Sequence, residues 1–287
     1  MIPGKFDYYA PTTLDEAVSL LAEHGEDAKI LAGGQSLIPA MRYRLALPET
    51  LIDINQIDGL RYIREDNGHL AIGAMTLEVA LEDSDVIQSN YQLMAEAVEV
   101  IADPVVRNAA TIGGNIAHSD PANDHPAVML AYNAEIIALG PRGTRSIEID
   151  DFFTGLFENA LAEDEILTEI RIPRPGVGSG GAYAKIERKV GDYAISAVAV
   201  QLTMDGDTCT AARIGLTNVS PVPMRAKNAE AAIIGKTLTE AVLETAGQAA
   251  AAECDPSQDL RGTVEYKRDL TRILVKRTVK QAAERAI

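Results

Sequence analysis

The sequence predicts an α+β protein with two domains. At 287 residues and 47% hydrophobic content, the chain is long enough to bury more than one hydrophobic core. Helical and strand patterns alternate in its first half, whereas strands precede helices in its second half, an order typical of an α+β domain. Between the halves, the proline- and glycine-rich segment 173–181 interrupts every periodic pattern. We therefore expect one domain at 1–175 and another at 176–287.

The first half opens with a helix. Thr13-Leu14-Asp15-Glu16 has the form of a capping box, and apolar residues follow at helical spacing until Gly25. A short buried strand over 29–32 leads into a glycine loop, after which a helix is expected from 37 to 45. A further strand is predicted at 51–54.

The rest of the first half combines hairpins with helices. An Asn-Gly pair at 67 and 68 lies between two segments of strand character, which predicts a hairpin. The expected elements are strands 61–64 and 69–72, helices 86–101 and 124–130, a hairpin of strands 134–139 and 146–149, and a strand at 165–172.

Three strands and then three helices are predicted for the second half. The strands cover 182–189, 196–204 and 208–217, and the helices cover 226–234, 238–252 and 264–286. Just before them, Gly176, Gly178 and Gly181 match a dinucleotide-binding fingerprint. That fingerprint requires a following helix, and here a strand follows, so a linker is favoured.

Composition excludes several functions. The net charge of −16 and isoelectric point near 4.7 argue against nucleic acid and anionic membranes, which select for basic patches. Cys209 and Cys254 lack CxxC spacing, so a disulfide framework, a zinc site and an iron–sulfur site are unsupported. No signal peptide is recognisable, and no apolar stretch reaches the ~20 residues of a membrane helix. We expect a cytoplasmic protein without membrane insertion.

Two glycine loops are the main functional signal: Ala32-Gly33-Gly34-Gln35-Ser36 and Thr111-Ile112-Gly113-Gly114-Asn115. Glycine permits positive φ and close approach of a ligand, so successive N–H groups can converge on a phosphate without a lysine. Either loop alone is also explained as a tight turn. Because both end in polar residues, the pair favours one shared cradle for a cofactor diphosphate.

Segment 118–125 contains two histidines and two aspartates and leaves three interpretations open. A metal site is the first, although Pro121 and Pro126 disrupt the spacing that ligands on a helix need. Helix capping by the aspartates is the second. The third is a carboxylate that accepts hydrogen bonds from cofactor hydroxyls.

The chain shows no catalytic machinery of its own. No Ser-His-Asp order, nucleophile elbow or P-loop is present, which fits a protein whose redox chemistry belongs to a cofactor.

The last predicted helix is basic, because the sequence from Val264 onward contains seven Lys/Arg and three Asp/Glu. A solvated face explains this composition, and docking to an acidic partner is the alternative.

Four segments carry a family resemblance. They are the two glycine loops and two further segments, Asp120-Pro121-Ala122-Asn123-Asp124 and Val190-Gly191-Asp192-Tyr193-Ala194. Over essentially its whole length the chain resembles the FAD-binding medium subunits of molybdenum hydroxylases of the xanthine dehydrogenase family, with most similarity to those of aerobic carbon monoxide dehydrogenases. The resemblance implies an N-terminal FAD domain of the p-cresol methylhydroxylase and vanillyl-alcohol oxidase type, with subdomains at about 1–55 and 56–175. A C-terminal α+β domain with a small antiparallel sheet and helices would follow.

The same resemblance implies the residues that bind FAD noncovalently. In it, the glycine loops receive the diphosphate, Asp124 binds polar FAD groups, Lys185 and Leu167 lie near the flavin, and Tyr193 packs beside the isoalloxazine. The full set is Ala32, Gly33, Gly34, Gln35, Ser36, Ile101, Ala102, Thr111, Ile112, Gly113, Gly114, Asn115, Asp124, Leu167, Lys185 and Tyr193. No catalytic or metal-binding residue is implied.

The family also implies partners. The molybdenum cofactor lies on a large subunit and two 2Fe–2S clusters lie on a small one, in a dimer of heterotrimers. This chain would take electrons from the clusters onto FAD and pass them to a quinone or cytochrome while the large subunit oxidises CO to CO2. The expected location is cytoplasmic, with association at the inner face of the membrane. Alternatives are the FAD subunit of a hydroxylase for a purine, aldehyde or N-heterocycle, a self-contained flavin oxidase, or a nonenzymatic scaffold.

Overall fold

A computed structural model of the chain describes residues 2–286. Three main sheets follow one another along the chain, each with its own helices. The mixed helix and strand content and the antiparallel sheet followed by helices near the C-terminus confirm the predicted fold class. Within residues 2–286, none of the helices combines the length and the apolar character needed to cross a membrane.

The first unit is a three-stranded parallel sheet with two helices. Its middle strand pairs with both of the others. As predicted, Thr13 Oγ1 accepts a hydrogen bond from the Glu16 N–H at 3.2 Å and the first helix stops at Gly25, which has φ of +53°. The elements are β1 (Asp7–Tyr9), α1 (Leu14–His24), β2 (Ala28–Leu31), α2 (Leu37–Arg42) and β3 (Thr50–Asp53).

The second unit is a five-stranded antiparallel sheet covered by short helices. Its first part comprises β4 (Ile63–Asp66), β5 (His69–Gly73), α3 (Glu78–Glu82), α4 (Asp85–Asn90), α5 (Gln92–Glu99), α6 (Pro104–Arg107), α7 (Ile112–His118) and α8 (Asp124–Tyr132). Its second part comprises β6 (Glu135–Gly140), β7 (Gly143–Glu148), α9 (Ile149–Phe152), β8 (Phe153–Gly155), β9 (Glu158–Asn159) and β10 (Ile166–Pro173). The strand order is β4-β5-β10-β6-β7.

Two sequence predictions for this unit have different outcomes. Asn67 and Gly68 have φ of +47° and +84°, the signs that a tight two-residue hairpin turn needs, so the predicted hairpin is confirmed. The single helix expected at 86–101 is instead two helices, α4 and α5. Tyr91 breaks it with φ −129° and ψ 59° and buries its ring against Tyr132, with ring centroids 6.2 Å apart.

The third unit is an antiparallel sheet with three helices. Strands run in the order β11-β12-β13-β14, and β15 pairs with β13. The elements are β11 (Ser179–Glu187), β12 (Ala194–Asp205), β13 (Thr208–Thr217), β14 (Met224–Arg225), α10 (Lys227–Ile233), β15 (Lys236–Thr237), α11 (Glu240–Glu253) and α12 (Val264–Arg285). The glycine fingerprint rejected above runs into β11, in agreement with the linker interpretation.

The basic last helix pairs with acidic residues of its own chain. Arg272 Nη1 lies 2.6 Å from Glu244 Oε1, and Lys276 Nζ lies 2.5 Å from Glu240 Oε1. The buried Lys267 pairs with Asp259 at 2.8 Å. These contacts account for much of the helix's charge without a partner protein.

The second and third units share a hydrophobic core. The core of the second unit continues into Tyr183, Ala194, Ala197 and Ala199 of the third. Helix α8 packs on β12 and β13, and α5 packs on β11. Helix α8, which begins at the predicted site residue Asp124, is therefore held directly against the C-terminal sheet. The boundary between 175 and 176 lies between β10 and β11 and stays a prediction.

A buried ion pair joins α3 to α8. His125 Nε2 and Glu78 Oε2 are 2.7 Å apart, and neither side chain is exposed. Burial acts to lower the pKa of His125, but the Glu78 carboxylate outweighs burial and raises this pKa above its ordinary value of 6.5. The stabilisation from the protonated imidazole is therefore complete below about pH 6.5 and is lost as the pH rises through the raised pKa.

We predict that Glu78→Gln lowers the thermal midpoint Tm, because removing one partner of a buried ion pair typically costs about 3–5 kcal/mol. The Tm difference from wild type narrows as the pH rises through the raised pKa of His125. Calorimetry across a series of pH values measures both effects. Glu284→Gln is the control, since Glu284 is exposed and lies 4.0 Å from Lys280. Equal midpoints for wild type and Glu78→Gln would contradict this account.

Candidate functional site

The first glycine loop, Ala32–Ser36, is a partly exposed turn between β2 and α2. Gly34 has φ of +71°, so the predicted positive φ is confirmed at this glycine but not at Gly33. Within residues 2–286, the backbone N–H groups of Gly33, Gly34, Gln35 and Ser36 donate to no acceptor. Four consecutive backbone donors are thus available to an anionic ligand.

The second glycine loop is not a loop. Thr111 is the N-cap of α7, and Gly113 and Gly114 lie in its first turn with negative φ. Their donors are engaged within the chain: the Ile112 N–H donates to Thr76 O at 3.1 Å, the Gly113 N–H to Ala74 O at 2.9 Å and the Gly114 N–H to Thr111 Oγ1 at 3.2 Å. The expectation that this segment also presents free donors is wrong. Residues 74–76 run alongside and accept the first two of these bonds, and the Thr111 side chain accepts the third.

Close packing explains these glycines better than unusual dihedral angles do. A Cβ atom on Gly33 would lie 2.2 Å from Ala109 O, and one on Gly113 would lie 2.6 Å from Ala74 Cβ. A Cβ on Gly114 would lie 3.5 Å from Ala32 Cβ. The two segments therefore lie side by side, in ordinary contact between Gly114 and Ala32. Gly33 and Gly113 stand where a side chain would overlap the backbone of Ala109 and of Ala74.

Asn115 presents an unsatisfied acceptor at this junction. Its Oδ1 is buried and has no hydrogen-bond partner among residues 2–286, while its backbone carbonyl accepts from Asn123 Nδ2 at 3.1 Å. A buried unpaired acceptor costs about 1–3 kcal/mol. A ligand with hydroxyl or amino groups would supply the missing donor.

Asp124 lies at the start of α8, at the centre of a buried polar cluster. Its Oδ1 accepts from the Tyr183 hydroxyl at 2.5 Å and its Oδ2 from Lys185 Nζ at 3.0 Å. Lys185 also donates to Val100 O at 3.1 Å and lies 3.3 Å from Glu187 Oε2. Burial raises the pKa of Asp124, and the Lys185 ammonium opposes that rise.

The predicted residues after α5 lie beside this cluster. Ile101 is buried and Ala102 has φ of +51°. A Cβ on Gly191 would lie 2.7 Å from Ala102 O, so the loop that carries Tyr193 packs on this turn. Tyr193 is 41% exposed, and the Arg261 guanidinium lies 5.5 Å from its ring centroid. The exposed ring can therefore offer a surface to a planar ligand.

Leu167 is more remote than the other predicted residues. It is buried in β10 opposite Ala138, and its link to the site runs through the neighbouring Thr168, whose carbonyl accepts from the Ala74 N–H at 2.9 Å. Ala74 in turn contacts Gly113. The structure thus brings the glycine segments, Asn115, the Asp124 cluster and the 101–102 turn together, with Leu167 in the wall behind α7.

Segment 118–125 places its two histidines against different partners and its second aspartate in the buried cluster. His125 faces Glu78, and His118 stacks on Phe157 with ring centroids 5.2 Å apart. No group of three or more His, Cys, Asp or Glu within residues 2–286 is placed to hold a metal ion. The N-cap of α8 is Asn123 and not an aspartate. Asp124 fits the third interpretation, a carboxylate that can accept from ligand hydroxyls.

Tyr183 is the site residue that the sequence analysis missed. It precedes Lys185 by two positions in β11, so the two side chains share one face of the strand. That alternation was visible in the sequence once Lys185 had been placed at the site. A surface depression of about 640 Å³ lies between α1 and residues 161–164 and contains none of the predicted site residues.

Two family models match the chain: the FAD binding domain in molybdopterin dehydrogenase over residues 4–175 and the CO dehydrogenase flavoprotein C-terminal domain over residues 181–282. The chain is 46% identical over 282 residues to the carbon monoxide dehydrogenase medium chain of Hydrogenophaga pseudoflava, covering 98% of each. A solved structure of carbon monoxide dehydrogenase from that organism superposes with a TM-score of 0.98 at 48% identity, covering 100% of both chains.

A more distant structural relative is quinoline 2-oxidoreductase from Pseudomonas putida 86, with a TM-score of 0.93 at 31% identity over 99% of each chain. The family models together span nearly the whole sequence, and the two solved structures cover 100% and 99% of it. The chain therefore belongs to the family of FAD-binding proteins of molybdopterin dehydrogenases.

Proposed function

We propose that this chain is the FAD-carrying electron-transfer subunit of a carbon monoxide dehydrogenase. The observation that carries the proposal is a set of available groups on neighbouring segments. The free donors at Gly33–Ser36 follow Ala32, which lies beside Gly114. The unpaired Asn115 Oδ1 comes next along the chain, and Asn115 is hydrogen-bonded to Asn123, the residue before the Asp124 carboxylate. Anionic and hydroxyl-bearing parts of one ligand need both kinds of group. The 46% identity to a carbon monoxide dehydrogenase medium chain supports CO as the substrate of the assembly.

The residues present fit FAD. In a chain with net charge −16, the four N–H groups of Gly33–Ser36 would hold the diphosphate without lysine or arginine. Asn115 Oδ1 and Asp124 would accept from hydroxyl groups, and the exposed Tyr193 ring would pack beside the flavin. When bound, FAD supplies the capacity to accept and release electrons. The chain's own residues bind it, orient it and set its electrostatic surroundings.

Lys185 has an electrostatic role in this proposal. Its ammonium lies 3.0 Å from Asp124 and 3.3 Å from Glu187, and its side chain is only 4% exposed. Burial raises the pKa of Asp124, and the Lys185 ammonium opposes that rise and so favours the ionised form. An ionised carboxylate accepts hydrogen bonds from ligand hydroxyls more strongly than a protonated one.

The proposed partners follow from the family. A large subunit would hold the molybdenum cofactor and perform CO oxidation, and a small subunit would hold two 2Fe–2S clusters. This chain would receive electrons from the small subunit and deliver them to a quinone or cytochrome. The assembly would be a dimer of heterotrimers in the cytoplasm, and a quinone acceptor would draw it to the inner face of the membrane.

We predict that CO reduces the flavin of the complete complex. The chain is co-expressed with its large and small subunits, purified anaerobically, and followed by flavin absorbance after addition of CO or of quinoline. We expect the absorbance of oxidised flavin to be lost after addition of CO and to be unchanged after addition of quinoline. Reduction by quinoline and not by CO would overturn the substrate assignment, and a complex without flavin would overturn the proposed function.

We predict that Asn115→Ala weakens FAD binding without lowering the Tm of the deflavinated complex. The side chain makes no hydrogen bond within residues 2–286 that the substitution would remove, but a ligand bond worth about 1–3 kcal/mol would be lost, which raises Kd roughly tenfold to 100-fold. Titration of the deflavinated complex with FAD measures Kd. Asn108→Ala is the matched control, because Asn108 donates to Pro104 O on an exposed turn. Unchanged FAD affinity in Asn115→Ala would contradict the assignment.

A further inference from the structure

Tyr183 is fixed in place by contacts at both its backbone and its side chain. Its N–H donates to Glu96 Oε2 of α5 at 2.9 Å. Arg285 of α12 donates to Gly181 O at 2.8 Å and pairs with the same Glu96. The strand position of Tyr183 is therefore held by a helix of the second unit and by the last helix of the third.

The hydroxyl of Tyr183 has Asp124 as its acceptor, and both side chains are largely buried. The distance of 2.5 Å lies in the range of charge-assisted O–H to carboxylate hydrogen bonds. Asp124 receives one donor on each oxygen, from Tyr183 and from Lys185. Since a carboxylate offers about four acceptor positions, each oxygen retains capacity for a further donor.

We propose that Tyr183 is a positioning residue that holds the Asp124 carboxylate in the orientation in which it accepts hydrogen bonds from FAD hydroxyls. This inference rests on the proposed function, in which Asp124 binds polar groups of FAD. Lys185 alone would secure only one oxygen and leave the carboxylate free to turn about its Cβ–Cγ bond. The tyrosine hydroxyl secures the other oxygen and thereby directs the remaining acceptor positions.

The charged surroundings of Asp124 set the direction of the expected pH effect. Burial raises the pKa of Asp124, whereas Lys185, the Tyr183 hydroxyl and the adjacent His125 lower it. The other ionisable groups nearby are Glu187 on β11 and, on the loops that face it, Asp120 and Tyr193. Removing the tyrosine hydroxyl removes one of the groups that lower the pKa of Asp124, so this pKa rises. Asp124 then protonates at a higher pH, and tight FAD binding is lost at a higher pH as the solution is acidified.

The test compares FAD affinity of the deflavinated complex across a pH series. Tyr183→Phe is expected to raise Kd about tenfold or more and to move the acid limb of the affinity profile to higher pH. Tyr132→Phe is the matched control: Tyr132 is also buried, but its hydroxyl accepts from the Met94 N–H at 3.4 Å, away from Asp124. It is expected to leave both Kd and the profile at wild-type values.

A double mutant separates positioning from general structural support. If Tyr183 acts through Asp124, then Tyr183→Phe adds no further loss of affinity in an Asp124→Asn background. Full additivity of the two losses, or a wild-type pH profile in Tyr183→Phe, would overturn the inference while FAD binding by the wild type stands. Failure of the wild-type complex to bind FAD would instead overturn the proposed function.

Discussion

Backbone contacts too close for any side chain hold the proposed site together. Gly33 abuts Ala109, Gly113 abuts Ala74, and Gly191 abuts the carbonyl of Ala102, each at a distance where an added Cβ would overlap. These contacts join segments from all three structural units. A site assembled this way depends on tertiary packing, because no single loop contains enough groups to bind a ligand as large as a dinucleotide.

The converging segments have different tasks. The turn at Gly33–Ser36 keeps its donors free, while the first turn of α7 has its donors engaged by residues 74–76 and the Thr111 side chain. The first segment is therefore suited to binding an anion. The second segment supports the first one structurally. Between the second and third units, Asp124 and Lys185 place one buried negative and one buried positive charge in contact, so the ammonium offsets the carboxylate in a strongly acidic chain. The shared hydrophobic core holds both residues in position.

Much of the fold could be predicted from local pattern. Local sequence encodes the capping at Thr13 and the Asn67-Gly68 turn, each within a few residues. The periodic pattern of each segment likewise predicts that strands precede helices in the third unit. Predictions were wrong where a tertiary contact decided the outcome. Tyr91 leaves the helix to bury its ring, and the segment after Thr111 enters α7 because neighbouring chain satisfies its donors. The role of Tyr183 depends on Asp124, 59 residues away, which no local pattern reveals.

The most direct measurement is an experimental structure of the complete complex with FAD bound. We expect diphosphate oxygens within hydrogen-bond distance of the N–H groups of Gly33–Ser36. The bonds from Ile112 and Gly113 to residues 74–76 are expected to be intact, and a cofactor hydroxyl is expected to donate to Asp124. A diphosphate held by the amides of Ile112 and Gly113, with the Gly33–Ser36 donors facing solvent, would contradict this expectation.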